Sequence, residues 1–217
     1  MLATLFKFKG GVKPASHKDE STQTPIAPAP LPPLLVVPLR QSAGGTPQPL
    51  VKPGQKVLKG ERIGAPEENF SSAIHAPTSG TVRAIEPRML PHPSGLSAPC
   101  VVIEADGEER WIERVPVNYA TETPDALRDL LRDAGIVGLG GAAFPSHIKL
   151  KPGAAGRIET LIINGAECEP WISCDDMLMR ERAEGIVRGA AILRHIVSAD
   201  RVLVGIEDNK PQAIAAL

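Results

Sequence analysis

The sequence is short of the residue patterns that narrow a protein's chemistry fastest. Its three cysteines, Cys100, Cys168 and Cys174, are scattered and form no CxxC pair. That excludes a disulfide framework. A cluster held by cysteine alone needs about four thiolates, so this chain cannot build an iron–sulfur centre unaided. No apolar run approaches the roughly 20 residues of a membrane-spanning helix, and the N-terminus lacks the apolar core of a secretion signal. The expected location is cytosolic, or peripheral on a cytosolic membrane face. The net charge of −1 and the lack of any Lys/Arg run leave no electrostatic case for nucleic acid. No GxSxG elbow, Walker loop or HExxH occurs, so hydrolase, P-loop and zincin chemistries lack their signatures. His75, His147 and His195 lie on separate predicted elements without metal-ligand spacing, and no metal site is expected.

What the chain does have is 22 prolines and 20 glycines beside an aromatic content of only 3%. This composition reads as turn-rich, with a small β module next to an α/β part. Residues 1–33 are expected to be a leader followed by a proline-rich linker, TPIAPAPLPP, which is extended and cannot pack as a helix. Residues 34–115 alternate short apolar runs with Pro and Gly turns, as a small all-β unit does: LLVVPL, VKPGQKV, GERIG, AIHAPTSGTVRAI and CVVIE. The strands are expected to be short and punctuated by proline.

Residues 116–217 change character. Thr123, Pro124 and Asp125 read as N-cap, first helical position and first-turn acid, and Gly135 as the C-terminal cap. The helix leads directly into GLGGAAFP. A strand, continuously apolar at its end and covered on both faces, is expected over 158–163, a helix over 177–197 and a second buried strand over 201–206. Strand, helix, strand is a βαβ unit, which brings the two strand carboxyl ends to one edge, where α/β folds bind ligands. Asn164, Glu167 and Glu169 would then lie near Glu207 and Asp208. Residues 211–217 look like the first turns of another helix, so the domain reads as incomplete at its C-terminus.

Several residues carry a possible chemistry beside a plainer role. Gly138, Gly140 and Gly141 read either as a backbone cradle for a phosphate or flavin ring, with Lys149 as a nearby cation, or as a tight interhelical loop. Asn164 suits a flavin pyrimidine edge or a ribityl hydroxyl, and equally a turn. Glu167, Glu169 and Asp208 can accept from ribose hydroxyls while disfavouring a 2′-phosphate, which favours NAD(H) over NADP(H). Phe144 can stack on a nicotinamide or flavin ring or fill the core. Cys168, between two glutamates, is expected to be small buried packing.

Two resemblances follow from these motifs. VKPGQKVLKGERI with IHAPTSGTVRAIE resembles the half-repeats of a biotinyl/lipoyl-type barrel-sandwich hybrid. The stretch between Ile63 and Ile74 has no lysine, so a structural or docking role is expected instead of a cofactor carrier. GLGGAAFPSHIKL, INGAECEP and GIEDNK, in that order after this module and with the leader FKGGVKPASHK, resemble the C subunit of the Rnf/Rsx ion-translocating electron transport complex. A more distant resemblance is to the NADH-oxidising flavoprotein subunit of respiratory complex I. The complex I pattern has arginine where Leu139 stands, glycine where Ala143 stands and aspartate where Ala166 stands.

The resemblance implies an α+β multidomain fold, a barrel-sandwich hybrid followed by a Rossmann-like FMN/NADH-binding domain. It implies an NADH-dependent flavin oxidoreductase component in which electrons pass from NADH through FMN to iron–sulfur clusters, coupled to ion movement. It also implies a place among the other Rnf/Rsx subunits on the cytoplasmic side of the bacterial inner membrane, without a span of its own. By motif, Gly138, Gly140, Gly141, Lys149, Asn164 and Glu207 would hold FMN, and Phe144, Glu169 and Asp208 would contact NADH. The family's [4Fe–4S] cysteines are expected beyond Leu217. The alternative is a non-catalytic docking module with an incomplete nucleotide site.

Overall fold

A computed structural model describes residues 11–12, 14–67, 70–151 and 157–217. Most of the FKGGV stretch of the leader, two residues of the lysine-less turn and much of the basic loop before Arg157 lie outside these. The elements are α1 (Lys18–Ser21), β1 (Leu34–Pro38), β2 (Gln48–Pro49), β3 (Lys56–Val57), β4 (Arg62–Ala65), β5 (Ile74–His75), β6 (Gly80–Met89), β7 (Ser97–Ala105), α2 (Pro124–Asp133), α3 (Ser146–Lys149), β8 (Thr160–Asn164), α4 (Cys174–Val197), β9 (Arg201–Gly205) and α5 (Pro211–Ala216). They divide into two compact units. One, the β unit, comprises Ala29–Glu159 with Ile192–Asp200; the other, the βαβ unit, comprises Met1–Pro28, Thr160–Ala191 and Arg201–Leu217.

The β unit is built from two antiparallel sheets, ordered β1-β7-β6-β3 and β2-β4-β5. Alternation places Val37, Val57, Ile63, Val82, Val101 and Ile103 in one core cluster. Each such side chain contributes roughly 1.5–3 kcal/mol by leaving water. Gly80 is fixed by its neighbour, because a Cβ there would collide with the Glu104 carbonyl oxygen on β7. The strands are longer than the proline spacing predicts: β6 runs for 10 residues and β7 for 9, paired from Gly80↔Ala105 to Met89↔Ser97. Proline does not stop them because Pro87 and Pro99 stand opposite each other. The Pro99 carbonyl points instead toward β1, where it accepts from the Leu39 amide at 3.0 Å. Neither missing N–H therefore removes a bond between the two strands.

Helix α2 forms as its caps predict. The Thr123 hydroxyl accepts from the Ala126 amide at 3.2 Å, and Gly135 closes the helix with φ +70°. Leu127 is its buried anchor, packed with Leu150 and Ile196 and bordered by Tyr119, Leu131 and Leu193. Gly135 is required twice over. Its φ is left-handed, and a Cβ would stand 2.5 Å from the Ala73 carbonyl oxygen. The Ala73 amide in turn donates to the Arg132 carbonyl at 3.1 Å, so the C-terminus of α2 is fastened to the segment entering β5.

In the βαβ unit, β8 and β9 pair in parallel from Thr160↔Arg201 to Asn164↔Gly205. The strand thus starts two residues later than the sequence predicts and includes Asn164. Helix α4 starts three residues earlier, at Cys174, and has a kink at Arg182 (φ −132°, ψ 28°). The expectation that the first strand is covered on both faces and the second buried is not met. Ile162 is 66% exposed and Leu203 50%. A two-stranded ladder offers too narrow a surface for the two-sided layering that a continuously apolar strand normally signals. The leader is not free either: the Trp171 amide donates to the Ser16 carbonyl at 2.8 Å, and the His17 ring stacks on the Trp171 indole, 4.5 Å apart and nearly parallel.

Candidate functional site

The glycine loop, in the β unit, is a closed lobe. The Gly138 amide donates to the Phe144 carbonyl at 2.8 Å and the Ala143 amide to the Gly140 carbonyl at 3.0 Å. Ala143 takes a left-handed φ of +42°, a conformation that glycine adopts without steric cost. Gly138, Gly140 and Gly141 are not among the residues with positive φ. A Cβ on Gly138 would meet the Lys149 Nζ at 2.7 Å, whereas Cβ atoms on Gly140 and Gly141 would meet nothing within 4 Å. Neither backbone shape nor protein packing therefore accounts for these last two glycines.

The other loop residues surround this lobe. Leu139 is almost wholly exposed at its tip. Phe144 is half-buried and meets Phe70 edge to face, with ring centroids 5.1 Å apart, while the Lys149 ammonium lies 5.9 Å from the Phe144 centroid. The Ala43 amide donates to the Ala143 carbonyl at 3.2 Å, which anchors the lobe to the β1–β2 connection. A cavity of about 370 Å³ opens beside the lobe, between Gly138–Gly140 and the stretch Ser72–His75. Burial pushes the His75 imidazole below its ordinary pKa, opposed by its hydrogen bond to the Asp133 carbonyl and reinforced to a smaller extent by the positive charge of Arg62. His75 is thus neutral at pH 7.

The strand-end residues form a second group, in the βαβ unit. Asn164 is exposed, and its Oδ1 accepts from the Ala166 amide at 3.1 Å, the turn geometry that Asn-Gly permits. Glu167 is buried at the N-terminus of α4. It accepts from the Asp175 amide at 2.8 Å, from the Asp176 amide at 3.4 Å and from the Cys174 thiol at 3.3 Å. The Lys18 and Lys210 ammoniums lie 3.9 and 3.7 Å from its Oε2. Burial alone would raise this carboxyl's pKa, but the two amides, the thiol and Lys210 together hold it below the usual range. Glu207 is likewise lowered, chiefly by its 2.7 Å contact with Lys210. The Glu167 amide donates to Glu207 Oε2 at 3.3 Å, so the ends of β8 and β9 are linked through these residues. Glu169 and Asp208 are exposed at the same strand ends.

Cys168 departs from expectation: it is exposed. The backbone after β8 turns Glu167 inward, toward the helix terminus, and its neighbour therefore faces out. Glu167, Cys174 and Asp175 bring three ligand-type atoms within 4.8 Å of one another. The two lysines already supply the countercharge there, and the acceptor capacity of Glu167 is taken by amides. The sequence reading passes over two residues that the structure makes central. Lys210 stands inside the quoted GIEDNK motif and is 2% exposed, so its place in the motif is a usable signal. Lys18 likewise closes the quoted leader motif FKGGVKPASHK. The predicted residues therefore fall into two sets, the glycine loop in the β unit and the strand ends in the βαβ unit.

Residues 6–108 match the family described as the RnfC barrel sandwich hybrid domain, and residues 131–217 match the Nuo51 FMN-binding domain. The chain is 51% identical over 217 residues to the C subunit of the ion-translocating oxidoreductase complex of Pseudomonas aeruginosa, covering 100% of this chain and 28% of that protein. The chain corresponds to the N-terminal region of Rnf C subunits. The corresponding protein of Edwardsiella ictaluri is 50% identical over 214 residues, and that of Haemophilus influenzae 45% over 214 residues, in each case covering 98% of this chain. The chain spans 26% and 32% of the length of those two relatives. Those relatives are described as subunits of an ion-translocating oxidoreductase complex. This chain carries a barrel-sandwich hybrid domain followed by an FMN-binding domain. Among the described residues no helix is long and apolar enough to cross a membrane.

Proposed function

We propose that this chain binds FMN and serves the oxidation of NADH within a membrane-bound, ion-translocating complex. The observation that carries the reading is the open space at Gly140 and Gly141, where neither φ nor packing requires glycine. The βαβ unit is assigned to a Rossmann-like nucleotide-binding domain. The modular boundaries are assigned at 33/34 and 115/116, so that the nucleotide-binding domain runs over 116–217 and includes the glycine loop.

The residues divide the work as follows. The backbone of Gly138, Gly140 and Gly141 approaches the flavin nucleotide, and Lys149 contributes a positive charge. Asn164 and Glu207 supply polar contacts at the strand ends. Phe144 offers a ring face to an aromatic ligand, and exposed Glu169 and Asp208 accept from ribose hydroxyls. Glu167, with both oxygens engaged inside its own unit, holds the strand ends in place. NADH is a substrate here, not a resident cofactor. FMN accepts a hydride and releases electrons singly, which suits a junction between NADH and [4Fe–4S] clusters. The complex is assigned to the cytoplasmic side of the bacterial inner membrane.

The test is spectroscopic. The full-length protein purified with FMN should show a bound-flavin spectrum that NADH bleaches, and NADH should bind more tightly than NADPH, because carboxylates disfavour a 2′-phosphate. Tighter NADPH binding would overturn the NAD(H) assignment, and no flavin uptake would overturn the FMN reading.

A second reading, docking by the barrel-sandwich module, is favoured by one observation. Met89 and Leu96 at the β6–β7 hairpin tip are 74% and 70% exposed. Loss of complex assembly in Met89→Lys/Leu96→Lys with flavin binding intact would assign docking to that tip.

A further inference from the structure

The glycine lobe has a second open side, toward the β6–β7 hairpin. There a cavity of about 630 Å³ is bounded by residues 141–143 of the lobe, by residues 40–43 after β1 and by the hairpin tip between residues 90 and 98. All three stretches belong to the β unit. The first lies in the FMN-binding match and the other two in the barrel-sandwich match. The bond from the Ala43 amide to the Ala143 carbonyl, 3.2 Å long, fastens the Arg40 stretch to the lobe.

The groups around this cavity are donors without partners. Arg40 is exposed, and its guanidinium has neither an ion pair nor a hydrogen bond among the described residues. The exposed Gly141 and Ala142 amides are also unpaired among these residues, whereas those of Gly138 and Ala143 are engaged inside the lobe. His92 Nδ1 accepts from the Ser94 amide at 3.1 Å, which leaves Nε2 as the protonated, donating nitrogen. No Asp or Glu lines the cavity, and neither does Lys149. A planar guanidinium beside free turn amides, with no carboxylate competing for it, is chemistry that suits a phosphate. Leu90 and Leu96 add an apolar border. An inorganic anion would gain nothing from that border, while a phosphate carried on an organic body would.

We propose that Arg40, on the barrel-sandwich module, binds the phosphate of FMN beside the glycine lobe. This rests on the FMN reading above and deepens it. The β module becomes part of the binding site, and a residue outside the FMN-binding stretch sets the preference for a phosphorylated flavin.

The experiment measures FMN, riboflavin and NADH affinity by ligand fluorescence in the full-length protein, in Arg40→Ala and in Arg40→Lys. Arg40→Ala should bind FMN about tenfold more weakly and riboflavin as well as the parent does, because the two flavins differ only in the phosphate. Arg40→Lys should recover part of the loss, since it keeps the charge without the two-pronged geometry. The ligand-free Arg40→Ala protein should melt with the parent, because the side chain it loses is exposed and unpaired. Unchanged FMN affinity in Arg40→Ala would overturn the assignment and leave the FMN reading standing. An equal loss for both flavins would also overturn it, by placing Arg40 at the ring or in the fold. So would weaker NADH binding with FMN binding intact, by placing Arg40 at the dinucleotide's pyrophosphate. No flavin binding to the parent protein would overturn both this assignment and the FMN reading.

Discussion

The Asp175 amide donates a 2.8 Å hydrogen bond to the Glu167 carboxylate, joining the first turn of α4 to the loop that leaves β8. Through this bond one buried side chain does three things. It caps a helix, neutralises Lys210, and keeps the ends of β8 and β9 in register with the residues proposed to meet the nucleotide. A carboxylate suits the place because free amides and the helix dipole both favour negative charge at an N-terminus.

Glu167→Gln should destabilise the protein by about 1–3 kcal/mol, since the Asp175 and Asp176 amides lose a charged acceptor while Lys210 keeps its 2.7 Å contact with Glu207. The pH dependence has a definite sign. The folded pKa values of Glu167 and Glu207 lie below the ordinary value, so their stabilisation is complete above roughly pH 4.5 and is lost as pH falls through the folded values. Asp175 is shifted upward, first by burial and then by the Glu167 charge, so it opposes part of this loss. Denaturant unfolding from pH 7 to pH 3 should show a steep acid loss that is flattened in Glu167→Gln.

Gly135→Ala and Gly140→Ala should part company. Alanine at 135 meets both a left-handed φ and the Ala73 carbonyl, so thermal unfolding should show a loss of at least about 1 kcal/mol. Alanine at 140 finds open space and should leave stability within about 0.5 kcal/mol of the parent. Flavin affinity should instead fall in this variant.

The three thiols should be alkylated in a set order. Cys168 is exposed and reacts first. Cys174 is also exposed but donates to Glu167, and its pKa is raised by burial and then by that carboxylate. Cys100 is fully buried, which raises its pKa as well, and should react only on unfolding. Mass spectrometry of a maleimide time course would read the order, and Glu167→Gln should speed modification of Cys174 specifically.

Thr123→Ala should cost about 1 kcal/mol by removing the hydroxyl that accepts from Ala126. A thermal melt is sufficient, and Thr123→Ser should restore most of the loss.

Much of this molecule is local and was therefore legible. Thr123, Pro124 and Gly135 mark the limits of α2 because caps act within four residues of the helix they end. The succession of short strands along the chain, the βαβ connection and the glycine loop all follow from patterns a few residues long. Tertiary structure decided the rest. Pro87 and Pro99 are tolerated within long strands only because they face each other, and Cys168 is exposed because its neighbour Glu167 must turn inward. Lys18 lies 149 residues from the carbonyl of Glu167 that it meets, and no local pattern could have paired them. Sequence determines which groups are available and how each short segment folds. Burial and pairing between distant segments depend on the whole chain, and they decide which of those groups are left to meet a ligand.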